Sequence, residues 1–475
     1  NLGELYQMQG RYEEAETYYM RSVSILSESS FLHPNILSDF ADLYRAMGRY
    51  EEALSLYQQS LAITIQLKGM SHPGTAISLH NLASMYCKVG HYDEAEQYYQ
   101  QALAIVEQQR GVEHPDYASV IGGLAGLYQE VGRYSEAEKL HQQALAIRQQ
   151  QLGSSHPDVA QRMNGLAVVY GVTGLYSKAA SFYQQVLDIW EQCLGCNHDK
   201  FATSLTGLAN SYQFMGRYED AEALYQRALA IKERRVGADH PAVALSLNNL
   251  AMLYKAMGRY SEAESLYQRA LNICRNKLGN EHPHVAATLS NLAELNNVMG
   301  RYNEAEKLHE QAINIQEQQL GIDHPDLATS LNGLAKVYWE IGNFEKAESL
   351  YRRSLTIWEQ KLGAEHLNVA TILNNLAALY QAKKNFSAAE PLLQRSLAIV
   401  EKQVGSDHPD FANTLNNLAE LYKNMGRYNE AEPIYQRALA LLKLQLGEEH
   451  PNFATGFNNL AELYHKLNRH DEAES

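Results

Sequence analysis

The side chains in this sequence that could do chemistry are its histidines, and their spacing says what kind. His72, His114, His156, His198, His240, His282, His324, His366, His408 and His450 each stand 42 residues from the next, and all but His198 and His366 are followed by proline. Imidazole serves as a metal ligand, a general base or a proton shuttle. A ring that recurs once in 42 residues is a whole structural unit from its neighbours, whereas the ligands of one zinc lie about 2 Å from the metal. Just before the first residue of a helix, a histidine can cap that helix or contact the adjoining turn. The column is therefore expected to be structural.

One other spacing has a chemical look. Cys193-Leu194-Gly195-Cys196 is followed by His198. A zinc site would want a fourth ligand and usually a second pair, and haem attachment wants histidine directly after the second cysteine, where Asn197 stands. Cys87 and Cys274 lie elsewhere, and with no secretory signal the four cysteines are expected to be free thiols. There is no phosphate-binding Walker loop, HExxH or GxSxG motif, and no GxGxxG in a strand context. The chain is expected to be non-enzymatic, without metal or cofactor.

The period itself is the organising signal. Leu247 to Pro283 reads LNNLAMLYKAMGRYSEAESLYQRALNICRNKLGNEHP, and the rest of the chain is this unit written again. Leu247, Leu250, Ala251 and Tyr254 form the stripe of one helix (A), and Tyr260, Ala263, Tyr267, Ala270 and Leu271 that of a second (B). Gly258 separates them as a glycine just past a helix end should. Helix A is expected to begin at Pro241, whose missing N–H is no loss there, and helix B to end at Leu278-Gly279. The strictest column is the small residue Ala15, Ala53, Ala95, Ala137, Ala179, Ala221, Ala263, Ala305, Ala347, Ala389, Ala431 and Ala473, expected where helix B presses on its partner. The 31 tyrosines fall mostly on three columns and read as packing with hydroxyls at the rim.

Departures are local. His33 to His72 spans 39 residues, three short of the period, and Lys384 and Asn468 replace the glycine between helices. Asn tolerates the left-handed region, while Lys there costs about 1 kcal/mol. The array is expected to be all-α and to run through residues 1–475 without a linker, as about eleven helix pairs and a last A helix. It opens mid-helix at Asn1-Leu2-Gly3 and stops at Ala473-Glu474-Ser475, so a fragment of a longer protein is expected, with apolar stripes at its ends inviting end-to-end association.

Composition narrows the classes of partner. A net charge of −15, with arginines such as Arg217, Arg259 and Arg301 lying among glutamates, argues against nucleic acid. No apolar run approaches the roughly 20 residues that cross a bilayer, which argues against a membrane span, and a cytoplasmic location is expected.

Leu247, Leu250, Ala251, Tyr254, Gly258, Tyr260, Ala263, Tyr267 and Ala270 resemble the signature positions of the tetratricopeptide repeat, with Leu247 in place of the usual Trp. The common repeat has about 34 residues; the longer form with LNNLAxLY, GRYxEAE and ALxIxExxLGxxHP resembles the repeats of kinesin light chains and related bacterial arrays. The resemblance implies a right-handed α-solenoid of antiparallel helix hairpins, with A helices lining a concave groove.

About 100° per residue places the columns of Leu245, Asn249, Met252 and Ala256 opposite the packing stripe of helix A. On the resemblance these columns floor the groove, and the asparagines Asn81, Asn249, Asn291, Asn375, Asn417 and Asn459 hold the backbone of an extended peptide. An amide suits this, being both donor and acceptor. Gly123, Gly165, Gly207 and Gly333 replace that asparagine elsewhere. Val168, Val172, Phe214, Leu245, Met252 and Val298 suggest an apolar floor in the middle, and Glu294, Glu420 and Glu462 a more acidic later part. The expected function is a protein-interaction scaffold. Its rivals are the sensor array of a larger signalling ATPase and a structural array that self-associates.

Overall fold

The computed structural model describes residues 2–28 and 33–470, and folds them into twenty-three α-helices. Asn1 and the last alanine of the small-residue column, Ala473, with Glu474 and Ser475, lie outside the described residues. Leu2–Met8 pairs with Tyr12–Glu28 and Pro34–Ala46 with Tyr50–Lys68. From Pro73–Lys88 onward each A helix has 16 residues and each B helix before the last A helix has 19, as in Pro241–Ala256 and Tyr260–Leu278. Eleven hairpins are followed by one further A helix, Pro451–Lys466. The three residues missing between His33 and His72 come out of Pro34–Ala46, which has only 13.

Each A helix from Pro34–Ala46 onward starts the same way. The Nδ1 of the histidine before it accepts the backbone N–H two residues on, at 2.9 Å from Gly74 for His72 and 3.1 Å from Ala242 for His240. One of the orphan N–H groups of the first turn is thereby satisfied. His198 and His366 do this without a following proline. At the other end, Arg259 N–H donates to Tyr254 C=O at 2.8 Å and Gly258 N–H to Lys255 C=O at 3.1 Å, which closes the helix in the manner of a Schellman cap. That geometry needs the left-handed backbone of Gly258, at φ 74°. Lys384 is held there too, at φ 56°, as is Asn468 at 57°.

Within a hairpin, the described members of the alanine column are all fully buried. Between hairpins, Glu222 accepts from the Tyr254 hydroxyl at 2.8 Å and from Arg259 at 2.7 Å. Arg259 also pairs with Glu262 and lies 3.9 Å over the Tyr254 ring. The recurring arginines are thus bound to carboxylates of this chain. Consecutive A helices approach one another, as Pro241–Ala256 and Pro283–Val298 do, so the A layer takes the inner, tighter side of the curve.

The curve returns on itself. The rings of His282, His324, His366, His408 and His450 press on the A–B loops at Gly48, Gly90, Gly132, Gly174 and Gly216, each 234 residues earlier, so closely that a Cβ on any of these glycines would come within 2.4 to 3.4 Å. The distance along the chain is between five and six repeats, so one coil of the solenoid rests on the next. His282 Nε2 and His324 Nε2 lie 3.3 Å from the carbonyls of Ala46 and Lys88. Leu320 and Val404 pack on first-coil clusters that contain Tyr50 and Tyr134. His282, His324, His366 and His408 are buried by this seam, whereas His72 is exposed and His114, His156 and His198 are half-buried.

Candidate functional site

The inner face is built from the columns that helix A turns away from its packing stripe. Val168, Val172, Phe214, Leu245, Met252 and Val298 are all exposed there. They are not one patch. Val168 and Met252 share a column two repeats apart, and Leu245 stands two turns before Met252. Val172 and Phe214 belong to the column nearest the A–B loops and line a cleft between the coils with Tyr176, Leu367, His408 and Pro409. Phe214 is stacked on Tyr176 at 5.1 Å and 8°. Its own backbone carbonyl faces the His450 ring.

The asparagines fall into two groups. Asn375 donates to Asn332 Oδ1 at 2.8 Å and Asn459 to Asn416 Oδ1 at 3.3 Å, so these amides help join successive A helices. Asn81, Asn249 and Asn291 are half-buried and Asn417 is exposed, and among the described residues their side chains have no protein partner. A related ladder runs one residue before this column, with Asn248 Nδ2 on Thr288 Oγ1 at 3.0 Å and Ser290 Oγ on Ser330 Oγ at 2.8 Å.

Where glycine replaces the asparagine, a ring lies against it, from the preceding B helix in each case and at Gly123 from the preceding A helix as well. A Cβ on Gly123 would stand 2.7 Å from the rings of His80 and Tyr99, on Gly165 2.6 Å from His141, on Gly207 2.4 Å from Tyr183 and on Gly333 2.3 Å from His309. The same B-helix column carries Tyr57, Tyr225 and Tyr267 in the repeats that keep Asn81, Asn249 and Asn291, so an aromatic there does not by itself exclude asparagine. Sequence reasoning missed these contacts because the rings are on different helices.

It also missed a basic patch. The Arg162 guanidinium lies over Gly122, on the helix between its own and the one carrying His80, and makes no ion pair or hydrogen bond among the described residues. His141 is buried with neither ring nitrogen partnered, and His80 Nδ1 is likewise unpartnered. Burial and then Arg162 push the His141 imidazole down to about 4, and burial followed by Arg148 lowers Arg162. The ladder that ties Asn248 to Thr288 is replaced here by Gly122 and Arg162.

The later part of the face is less acidic than expected. Glu294 is paired with Lys255 at 2.7 Å, Glu420 with Lys423 at 2.7 Å, and Glu462 with Lys423 at 2.9 Å. The lysines sit one residue before the loop column, on the preceding A helix for Glu294 and Glu462 and on its own helix for Glu420.

The other chemical candidates are placed outside any constellation. Cys193 donates its thiol to the Ser155 carbonyl at 3.2 Å, Cys274 is buried, and the four cysteines are free. No group of three or more His, Cys, Asp or Glu that could hold a metal occurs among the described residues, and no described helix is long and apolar enough to cross a membrane.

Comparison with known families agrees with this architecture. Tetratricopeptide repeat models match residues 1–28, 32–108, 116–192, 200–276, 284–360, 342–402 and 410–475. The chain belongs to the tetratricopeptide repeat family. Among solved structures it is similar to a Podosopora anserina putative kinesin light chain with nearly identical TPR-like repeats, at 29% identity over 43% of this chain and 97% of that one, with a TM-score of 0.36. A singly substituted form of that protein is 30% identical over the same shares, again with a TM-score of 0.36. The chain is also similar to BtubC (BKLC) from P. vanneervenii, at 27% identity over 50% and 92% with a TM-score of 0.39. Rap protein complexed with Competence and Sporulation Factor is 14% identical over 78% and 98%, with a TM-score of 0.54, and shares the fold. No curated protein sequence matches.

Proposed function

We propose that this protein is a non-enzymatic interaction scaffold that holds an extended segment of a partner along the inner face of its A helices. Tetratricopeptide arrays bind proteins, and only repeats of that family were matched along the chain. The observation that carries the finer reading is the set of unpaired amides at Asn81, Asn249, Asn291 and Asn417, spaced at whole repeats on one face. A polar group left half-buried without a partner, as at Asn81, Asn249 and Asn291, is stabilised when a ligand supplies one. A main chain supplies both a donor and an acceptor at each residue.

The apolar side chains between those amides supply the anchors. Met252 stands one helical turn from Asn249, and Leu245 one turn to its other side, so an apolar residue of the bound segment fits over each while its backbone reaches the amide. Near Arg162 the segment is neutral or acidic. Toward Asn417 it is neutral, because Lys423 and Lys466 together answer Glu420 and Glu462.

A peptide-display selection on the purified chain tests this, run beside a folded variant carrying Asn249→Leu, Asn417→Leu and Met252→Ala. Enrichment of a shared motif by the parent alone is the expected result. Equal enrichment by both proteins, or by neither, removes the reading.

A further inference from the structure

Two departures from the repeat fall on one spot of the inner face. Arg162 stands where other repeats carry a short hydroxyl, Ser204, Thr288 and Ser330, and Gly122 where they carry Asn164, Asn248 and Ser290, the partners of those hydroxyls. The glycine leaves the room that the guanidinium takes, since a Cβ on Gly122 would overlap Arg162 Nη1. What the exchange does not supply is a counter-charge. Asp158, whose field reaches Arg162, is paired with Arg148 at 3.2 Å, and Arg148 also donates to the Pro115 carbonyl and to Ser119. Arg162 itself is half-buried, with neither ion pair nor hydrogen bond among the described residues. A cation drawn out of water without a partner is destabilising until an anion supplies one.

Two imidazoles stand beside this guanidinium with unused nitrogens. His141 is 5% exposed and neither of its ring nitrogens has a partner, and His80 Nδ1 has none either. The His80 ring lies against Gly123, next to the glycine under Arg162, and the His141 ring against Gly165, one turn from Arg162 on the same helix. A neutral imidazole offers one N–H donor. The approach is open: Gly122 and Gly123 are followed one turn on by Gly126, where a Cβ would meet nothing within 4 Å. Helices pack on both sides of this stretch, Tyr50–Lys68 before it and Tyr176–Leu194 after it, so the site is an interior feature of the array.

We propose that Arg162, with His80 and His141 beside it, is the seat of a phosphoryl group, carried by a phosphorylated side chain of a segment bound along the inner face. A carboxylate lies in the plane of the guanidinium fork and gives both its oxygens to it. A phosphoryl group brings three acceptor oxygens and a charge of about −1.5 to −2, so it fills the fork and keeps an oxygen for an imidazole at the side. The source of the group rests on the inner-face reading proposed above. The chemistry of the seat does not, since inorganic phosphate offers the same oxygens.

The test has two arms. In the first, the immobilised chain captures peptides from three libraries of random sequence, fixed at the central position as phosphoserine, glutamate or serine. In the second, the phosphorus NMR line width of inorganic phosphate is followed as the chain is added, with no peptide present. Phosphoserine peptides are expected to be retained about tenfold or more over the other two libraries, and the phosphate line to broaden. Arg162→Gln should lose both effects while capturing serine peptides as the parent does. Gly122→Ala keeps the charge but crowds the guanidinium out of its place; it should weaken both effects, and it decides the matter if circular dichroism shows that Arg162→Gln does not fold. Phosphate broadening that depends on Arg162, with no library captured, supports the seat with a free phosphate compound as its source and counts against the inner-face reading alone. Equal retention of glutamate and phosphoserine peptides overturns the proposal. So does phosphate binding that both variants leave unchanged, or the absence of any phosphoserine preference and of any broadening.

Discussion

The Nε2 of His282 lies 3.3 Å from the carbonyl oxygen of Ala46, 236 residues earlier in the chain. Its Nδ1 is already occupied, accepting the backbone N–H of His284 at 3.0 Å. The ring therefore carries its proton on Nε2 and is neutral, capping one helix while holding the end of another. His72 caps its helix with the same geometry but stands exposed, with no coil beneath it.

That difference yields a comparison between two equivalent substitutions. His72→Ala removes a cap, and is expected to destabilise by about 1 kcal/mol. His324→Ala also strips the Lys88 carbonyl of its partner inside the seam, which adds roughly 1 to 3 kcal/mol. Urea unfolding of the two variants checks this; equal losses would mean that the seam contributes nothing.

Acid should loosen the seam. Burial, followed by His284, pushes the His282 imidazole down to about 3, and burial takes His366 to about 4. Burial also lowers His324 and His408, against the opposing pull of Asp326 and Asp410. A histidine depressed in the folded state stabilises it fully above its ordinary value near 6.5 and progressively less as pH falls toward the folded value. Between about pH 7 and pH 4 the melting temperature is expected to fall and the radius of gyration by X-ray scattering to rise. An unchanged radius down to the acid unfolding transition would show that the coils do not part.

The glycines of the inner face should resist the asparagine found in other repeats. Gly165→Asn places a Cβ 2.6 Å from the His141 ring and Gly333→Asn places one 2.3 Å from His309. Each is expected to destabilise by about 1 to 3 kcal/mol through overpacking. His141→Ala should recover much of the loss in the Gly165 variant and none in the Gly333 variant. Thermal unfolding of the singles and doubles reads both effects.

Lys384 is the clearest local strain. Its left-handed backbone costs an L side chain roughly 1 to 2 kcal/mol, offset in Lys384→Gly by the greater freedom of glycine when unfolded, about 0.4 to 1 kcal/mol. The variant is expected to melt slightly higher than the parent. By contrast Ala263→Leu, at a fully buried position, should lose about 1 to 3 kcal/mol.

Much of this architecture could be read from the sequence because each feature is local to one repeat. Pro241 and His240 start a helix, Gly258 ends it, and Ala263 marks the close approach, all within one period. What lay beyond reach depends on relations between repeats. The small rotation from one repeat to the next decides that Gly48 meets His282, and no residue in either repeat states that rotation. The glycines at 123, 165, 207 and 333 were visible as departures from asparagine, but the rings that lie against them come from neighbouring helices. The expected acidity at Glu294 and Glu462 is offset by lysines that the packing of the A helices brings to them, whereas Lys423 stands three residues from Glu420 on the same helix and was within reach of the sequence.

The most direct test of the central claim is calorimetric titration of a segment enriched by the parent chain, compared with the same segment N-methylated at the backbone positions over Asn249 and Asn417. If the amides hold the main chain, losing two hydrogen bonds should weaken binding by about tenfold or more, and Asn249→Leu with Asn417→Leu should weaken the unmodified segment similarly. Undiminished affinity in both experiments would contradict an inner face that reads the backbone of its partner.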